Sequence, residues 1–441
     1  MATVPYPALP GAFGTNPSVT AALRSDAFIL AMFFSLLLIG GDNMAIRVGG
    51  MTLRLVFPVL MLAFAFLFQR VGGNAAINRP LAFLFFALAT AAATSVMASL
   101  DPVKSIGYTI WVFFDFFVIV TLTYNLAKLY PPALTLKLWF VIYRIHAVLL
   151  LLELIRNIAV THTALRPHLW FYETSFLAIF MTGYFGSALF LLLRNGKSWL
   201  GDFLLSLVAM LALTSATGLF AMLLAVLLNF IVARQRVILL LVTVTLFAAF
   251  LGTLYFFFRD TVYYRLAGGF LLDGDSFSAM IDMITGRSGN RWIRAVVAWD
   301  AFLHHPWLGV GIGGDSAYMG ATPFPASVAG YLRPWMELDQ GEPFTNITLE
   351  VAGTMGMAGL IPFFGILTYT VISFARAIRG GDTEAAAFLI GFFAIFLALQ
   401  FESTFLRYYL WTNLGLGLGV LAQKGSLPGL QAMDLREPAP A

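Results

Sequence analysis

The strongest constraint on this fold is a series of apolar stretches about 20 residues long, because each can cross a bilayer as one helix. Polar residues, glycines and prolines separate them. Only 11% of the residues are charged and 60% are hydrophobic, which excludes a water-soluble multidomain enzyme and a disordered chain. We therefore predict an all-α polytopic membrane protein of about twelve transmembrane helices. They lie at roughly 25–41, 51–69, 80–99, 107–126, 137–158, 174–193, 199–215, 217–233, 237–258, 346–375, 384–401 and 404–422.

The distribution of Lys and Arg predicts the orientation, since short cytoplasmic loops are enriched in both. With a cytoplasmic N-terminus, thirteen of them fall on the cytoplasmic side and six in short outer loops. Residues 1–24 and 423–441 are then disordered cytoplasmic ends, and no cleavable signal peptide is visible. Helices 1–9 occupy 25–258, a large outer loop domain occupies 259–345, and helices 10–12 occupy 346–422.

The outer segment 259–345 has 87 residues and a composition unlike the rest of the chain. Its six basic residues are all Arg, whose planar fork matches phosphate and keeps its charge. This favours phosphate recognition at the membrane surface. Ordinary surface chemistry is the alternative, because the whole chain has only five Lys.

Within this segment, Arg291 and Arg294 lie at helical spacing, followed by a glycine-rich run, 308–315. The glycines permit a tight turn close to a ligand, but no strand–GxGxxG–helix unit indicates a dinucleotide site. The adjacent His304 and His305 lack a nearby carboxylate as third ligand, so we expect no metal site.

A second polar cluster precedes the sixth span and contains His162, Arg166, His168, Trp170 and Glu173. Arg166 lies at an outer interface where positive charge is under-used. Glu173 opens the next helix, where simple capping is the alternative to a functional role. Trp170 is equally typical of the aromatic belt of membrane proteins.

Several ionisable residues fall inside or beside predicted spans: Arg144, Glu153, Glu350, Glu402 and Arg407. Such residues are costly in a bilayer and mark function or a paired partner. For Arg144, interhelical pairing or snorkelling fits better than catalysis.

Four segments, in order, resemble the O-antigen ligase and O-antigen polymerase (Wzy-type) superfamily. Pro306 follows Arg291 by fifteen residues, within the run His305–Gly313. The other three segments are Arg166 with Phe171–Ala178, Leu213–Gly218, and Asn346–Glu350 with Gly353, Gly356 and Gly359. Together the four cover about 160–365.

The resemblance implies a GT-C-like glycosyltransferase architecture and metal-independent, cofactor-free transfer of a lipid-linked glycan at the periplasmic face of the inner membrane. Its essential arginines correspond to Arg166 and Arg291, with Arg287 as a neighbour. We expect Arg166, Arg291 and Glu173 to be catalytic. The expected diphosphate- and sugar-binding residues are Arg287, Arg294, His168, His305, Asn346, Glu350 and Arg407.

One departure bears on the reaction. Ligases of the superfamily carry His before the Asn of the post-loop motif, whereas this chain has Thr345, whose hydroxyl is no base near neutral pH. The base is then Glu173, His168 or Glu350, or the protein is not a ligase. We favour a polysaccharide polymerase that transfers a growing glycan from undecaprenyl diphosphate to the next lipid-linked repeat unit.

The alternatives are an O-antigen ligase acting on lipid A-core, a multi-span transporter, and a non-catalytic scaffold. A one-sided outer segment and the lack of an internal repeat weigh against a transporter. The expected partners are the lipid-linked donor and acceptor saccharides and the bilayer, without nucleic acid. A chain-length regulator and a flippase are further candidates.

Overall fold

A computed structural model of the chain describes residues 33–41, 44–48, 51–71, 77–161, 167–171, 173–213, 215–232, 290–321, 344–402 and 405–427. Within these ranges the protein is a bundle of apolar α-helices with one short β-hairpin. The predicted span 237–258 and most of the 259–345 segment lie outside the described residues.

The first half of the chain begins with a 3₁₀ helix and the hairpin. The elements are the 3₁₀ helix Leu36–Gly40, β1 (Ala45–Val48), β2 (Met51–Arg54), α1 (Val56–Val71), α2 (Arg79–Ser95), the 3₁₀ helix Val96–Ala98, α3 (Pro102–Phe113), the π-helix Phe114–Val120, α4 (Thr121–Leu129), α5 (Pro132–Thr161) and α6 (Thr174–Asn195).

The second half has both long and short helices. They are the 3₁₀ helix Lys197–Trp199, α7 (Leu200–Ala212), α8 (Ala216–Val232), α9 (Asn290–His304), α10 (Asp315–Ala321), α11 (Ile347–Gly380), α12 (Thr383–Ala398) and α13 (Tyr408–Gln423).

Five helical stretches of the described chain are long and apolar enough to cross a membrane, which fits a membrane protein. They are Arg79–Ala98, Pro102–Leu129, Pro132–Val160, Thr174–Asn195 and Ile347–Gly380. Shorter apolar helices at Val56–Gln69, Thr217–Phe230 and Thr383–Ala398 coincide with three further predicted spans. The total of twelve stays a prediction.

Two spans begin earlier than predicted, at Pro102 and Pro132 instead of 107 and 137. Proline suits the first turn of a helix because the amide it lacks has no partner there. Asp101 adds a cap, since its carboxylate accepts a hydrogen bond from the Lys104 amide at 3.1 Å.

The prediction of helix throughout 51–69 is wrong for its first four residues. Met51–Arg54 forms strand β2, which pairs antiparallel with β1, Ala45 opposite Arg54 and Val48 opposite Met51. The sequence has Gly49-Gly50 between these strands, a hairpin signal that hydropathy alone does not register.

Helix α6 is the central element of the bundle, and its apolar window is completely buried. Its small residues let neighbouring helices approach closely, as is usual in membranes. A Cβ on Gly183 would lie 2.7 Å from side-chain atoms of both Ile395 and Tyr143.

Contacts between distant segments show which helix ends lie together at each of the two ends of the bundle. At one end, which we call the loop end, the Asn346 amide donates to the Glu402 carbonyl at 2.9 Å. Arg407 lies over Phe176 at this end. At the opposite end, Lys424 pairs with Asp382 at 2.8 Å. The predicted site residues described by the structure lie toward the loop end.

Candidate functional site

The glycine-rich run of the long segment packs into the helix bundle. The Val310 amide donates to the Gly353 carbonyl of α11 at 2.9 Å. The Ile312 amide donates to Ser95 Oγ of α2 at 3.1 Å. The run is therefore hydrogen-bonded to two membrane helices at the loop end.

Helix α11 is interrupted where this run meets it. Gly356 has φ 60° and ψ −155°, a non-helical conformation inside the helix. The amides of Met357 and Ala358 donate to the carbonyls of Pro306 and Trp307 at 2.8 and 3.1 Å. An interruption of this kind is tolerated in a membrane helix when other protein groups satisfy the freed backbone.

Two glycines allow the two backbones to approach this closely, because neither has a Cβ. A Cβ on Gly356 would lie 2.4 Å from the backbone carbon of Trp307, and one on Gly309 would lie 2.3 Å from that of Thr354. Both have positive φ, which glycine adopts without strain. The sequence predicted a tight turn for Gly309 but not its partner helix.

Helix α9 brings the arginines of the long segment to this junction. Arg294 is buried on the face formed by Val297, Ala298 and Ala301. Arg291 lies one turn earlier, in the first turn of α9. Two other predicted residues, Arg287 and Arg166, lie outside the described residues.

The segment before α6 is held by a carboxylate from α5. Glu153 Oε2 accepts a hydrogen bond from the Leu169 amide at 2.8 Å. His168 is exposed. Glu173 occupies the N-cap position of α6 without a side-chain capping bond, and instead its Oε2 accepts from Ser175 Oγ at 3.0 Å. Glu173 therefore makes no capping hydrogen bond, while its position still suits the helix dipole.

Asn346 and Glu350 hold the backbone around the start of α11. Asn346 Oδ1 accepts from the amides of Thr348 and Leu349 at 3.0 and 3.1 Å. Glu350 is buried, and its Oε2 accepts from the Phe405 amide at 3.2 Å. Any contact of these two residues with substrate stays a prediction.

Arg407, at the N-cap of α13, is buried and lies flat against an aromatic ring. Its guanidinium carbon is 3.5 Å from the ring centroid of Phe176, in the first turn of α6. A guanidinium stacked in this way is attracted by the ring face, and its planar fork suits phosphate.

Comparison with known families tests the resemblance. Residues 202–364 match a family model described as O-antigen ligase. This match, over less than half of the chain, supports the resemblance to the O-antigen ligase and polymerase superfamily. The match includes Arg291, the glycine run and Asn346, but neither Arg166 nor Arg407. No curated protein matches the chain.

The match supports a glycosyltransferase-type enzyme and, together with the apolar helices, a membrane protein. The described part of the chain contains no group of three or more His, Cys, Asp or Glu that could hold a metal. His304 and His305 are both exposed. The expectation that no carboxylate lies near this pair is wrong, because Asp300 is one helical turn before His304 and its Oδ1 lies 3.4 Å from His304 Nδ1.

The structure also adds polar residues that sequence reasoning did not select. Asp315, which closes the glycine run, is buried and accepts from the Phe344 amide at 3.0 Å. Burial raises its pKa, an effect opposed by Lys104, whose Nζ lies 3.9 Å from Asp315 Oδ1. Arg54 and Asp115 are two further polar residues that the sequence analysis did not select.

Arg144 forms an interhelical pair away from these residues. Its Nε and Nη2 donate to the two carboxylate oxygens of Asp202 at 2.7 and 2.8 Å. Tyr184 also donates to Asp202, at 2.6 Å. Pairing, as predicted for Arg144, therefore accounts for this charge within the bundle.

Proposed function

We propose that this protein is a polysaccharide polymerase of the inner membrane. It transfers a growing glycan from undecaprenyl diphosphate to the next lipid-linked repeat unit on the periplasmic face. The observation that carries the proposal is the junction at the loop end. There, within the stretch that matches the O-antigen ligase family, the glycine run following α9 hydrogen-bonds to the interrupted helix α11.

The charge distribution supports a periplasmic loop end. Lys128, Arg194, Lys197, Arg379 and Lys424 lie at helix ends remote from it, and such residues favour the cytoplasmic side. Twelve spans with both termini in the cytoplasm then place 259–345 in the periplasm.

The exposed face of α9 supports a position at the membrane surface. Val296, Trp299 and Leu303 are exposed on the side opposite the buried Arg294, and Trp307 just beyond the helix is 75% exposed. Water is a poor solvent for such a face, whereas the bilayer interface accommodates Trp well. Helix α9 would then hold Arg291 at the level of the lipid head groups.

The proposed chemistry is a single displacement at the anomeric carbon. A hydroxyl of the acceptor sugar attacks C1 of the donor saccharide, and the bond from C1 to the diphosphate oxygen breaks with inversion. The electron pair leaves with undecaprenyl diphosphate. Arg166 and Arg291 stabilise the charge that develops on the diphosphate, so no metal or cofactor is required.

Glu173 is the proposed acceptor of the hydroxyl proton, with His168 and Glu350 as alternatives. Thr345, at the position where ligases have His, is buried and is no base near neutral pH. This substitution supports a polymerase. The description of the matched family favours the second candidate, an O-antigen ligase that transfers polymer to lipid A-core.

A deletion strain separates these functions when its lipid-linked saccharides are extracted and sized. Single repeat units on undecaprenyl diphosphate, without polymer, would establish the polymerase. Long polymer retained on its lipid carrier would establish the ligase. An unchanged glycan profile would refute both and favour transport. Complementation with the wild-type gene must restore the original profile, and co-purification would test a chain-length regulator and a flippase as partners.

A further inference from the structure

Asp115 is a buried carboxyl in the middle of a membrane-spanning stretch. Its exposed fraction is 0%, and neither carboxylate oxygen has a hydrogen-bond partner. It lies in the π-helix Phe114–Val120, a rare geometry that is frequent at functional sites. A buried carboxyl without hydrogen bonds is costly, and ionisable residues inside membrane spans commonly mark functional sites.

Asp115 ends a row of residues that starts at the loop end. Lys104, Tyr108, Trp111 and Asp115 are spaced by four, three and four positions, which places them near one face of the helix. Lys104 is 25% exposed, and Tyr108 and Trp111 are partly exposed. The row therefore leads from the accessible surface down to the buried carboxyl.

Two guanidinium groups face this row. That of Arg54 lies 4.1 Å from the ring centroid of Trp111, while that of Arg407 lies over Phe176. The chain at Arg407 runs beside the row, because the ring centroid of the next residue, Tyr408, lies 6.0 Å from that of Trp111. The two arginines come from different elements, since Arg54 ends β2 and Arg407 precedes α13.

The composition of this cluster selects a class of ligand. Two guanidinium groups suit an anion such as phosphate, whereas a carboxylate with two unused acceptor oxygens suits hydroxyl donors. A phosphate alone would leave both oxygens of Asp115 without a hydrogen-bond donor, and a cation alone would be repelled by the arginines. A sugar that carries a phosphate supplies both the charge and the hydroxyls.

We infer that Arg54, Asp115 and Arg407 bind the sugar-phosphate end of a lipid-linked saccharide. The arginines face the phosphate, and Asp115 accepts hydrogen bonds from sugar hydroxyls. The choice of a lipid-linked source rests on the proposed function and deepens it by assigning a binding site outside the matched stretch.

The test is binding to the purified full-length protein in lipid nanodiscs. Three lipid probes are compared: undecaprenyl diphosphate, and the same lipid bearing N-acetylglucosamine or galactose. Free N-acetylglucosamine 1-phosphate distinguishes a soluble source of the same chemistry. The wild type should bind at least one sugar-bearing lipid more tightly than the bare lipid, and tighter binding of the free sugar phosphate would overturn the lipid source.

Asp115→Asn should reduce the gain in affinity contributed by the sugar by about tenfold, as expected for the loss of a buried hydrogen bond. It should leave binding of bare undecaprenyl diphosphate equal or tighter. Arg54→Gln and Arg407→Gln should weaken all lipid probes. Asp382→Asn, at the opposite end of the bundle, is the matched control and should change none of them.

Equal binding of sugar-bearing and bare lipids by the wild type, or an unchanged gain in Asp115→Asn, would overturn the inference. If Asp115→Asn fails to fold, Asp115→Glu is the second variant. It retains the carboxyl group, but its longer side chain should displace that group and abolish the gain in affinity for the sugar-bearing lipid. If the deletion strain accumulates single repeat units but the protein binds sugar-bearing and bare lipids equally, this binding site alone would be refuted. If the protein binds sugar-bearing lipid more tightly but its deletion leaves the polymer unchanged, the proposed polymerase function alone would be refuted.

Discussion

The Met357 amide donates to the Pro306 carbonyl across 2.8 Å, joining the second part of an interrupted membrane helix to the loop that follows α9. This bond occupies a donor that the break at Gly356 releases from α11. The position of α9, with Arg291 and Arg294, therefore depends on the conformation of α11.

Gly356→Ala should destabilise the protein and reduce glycan transfer. The substitution combines positive φ with a Cβ placed 2.4 Å from the Trp307 backbone, and strain of this kind costs about 1–3 kcal/mol before the clash is counted. Thermal unfolding in detergent measures the loss. Gly107→Ala, where a Cβ would meet nothing within 4 Å, is the control, and equal melting temperatures for the two variants would contradict the assignment.

Arg291→Lys should lower transfer at least tenfold while protein level stays normal, because Lys keeps the charge but loses the bidentate fork. The measurement is polymer yield in the complemented deletion strain, normalised to membrane protein. Arg379→Lys, remote from the loop end, should retain full activity. Full activity of Arg291→Lys would exclude a bidentate role.

The orientation can be tested directly because the chain has no Cys. In intact cells with a permeabilised outer membrane, Gly320→Cys on α10 should react with a membrane-impermeant maleimide. Gln423→Cys at the end of α13 should react only after the inner membrane is opened. The reverse pattern would invert the predicted topology, and the Cys-free parent measures background labelling.

The exposed face of α9 should contact lipid. A fluorophore on Leu303→Cys should be quenched by brominated phospholipids in proteoliposomes, since Leu303 shares the exposed apolar face with Val296 and Trp299. Gly320 is exposed on the short helix α10, and a fluorophore on Gly320→Cys should remain unquenched. Quenching of neither position would place α9 in water and remove it from the membrane surface.

Asp315 should make stability fall as pH rises. Burial raises its pKa in the folded protein, opposed by Lys104, so the folded state binds more protons than the unfolded state between the ordinary Asp value of about 3.9 and the raised value. Asp315→Asn removes this penalty and should flatten that part of the melting-temperature profile. Asp300→Asn is the neighbouring control. Identical profiles for the wild type and Asp315→Asn would contradict the prediction, because they would show that the pKa of Asp315 is the same in the folded and unfolded states.

Part of the candidate site follows from sequence. Glu350 and Arg407 were predicted as ionisable residues in or beside spans, and Asn346 through the family resemblance. The structure brings all three to the loop end. Arg54 and Asp115 were not selected, since an ordinary outer-loop Arg and one Asp in an aromatic stretch carry no local signal. Their relationship depends on β2, the π-helix and α13 meeting in space.

The sequence by itself determined the class of protein and most helix positions, because hydropathy and the prolines at 102 and 132 act within single segments. Only the tertiary structure decided the break at Gly356, the hairpin in place of helix at 51–54, and the surroundings of Asp115. The physical reason is that these features depend on backbone partners elsewhere. Pro306 and Trp307 satisfy the interrupted helix, and β1 pairs with β2.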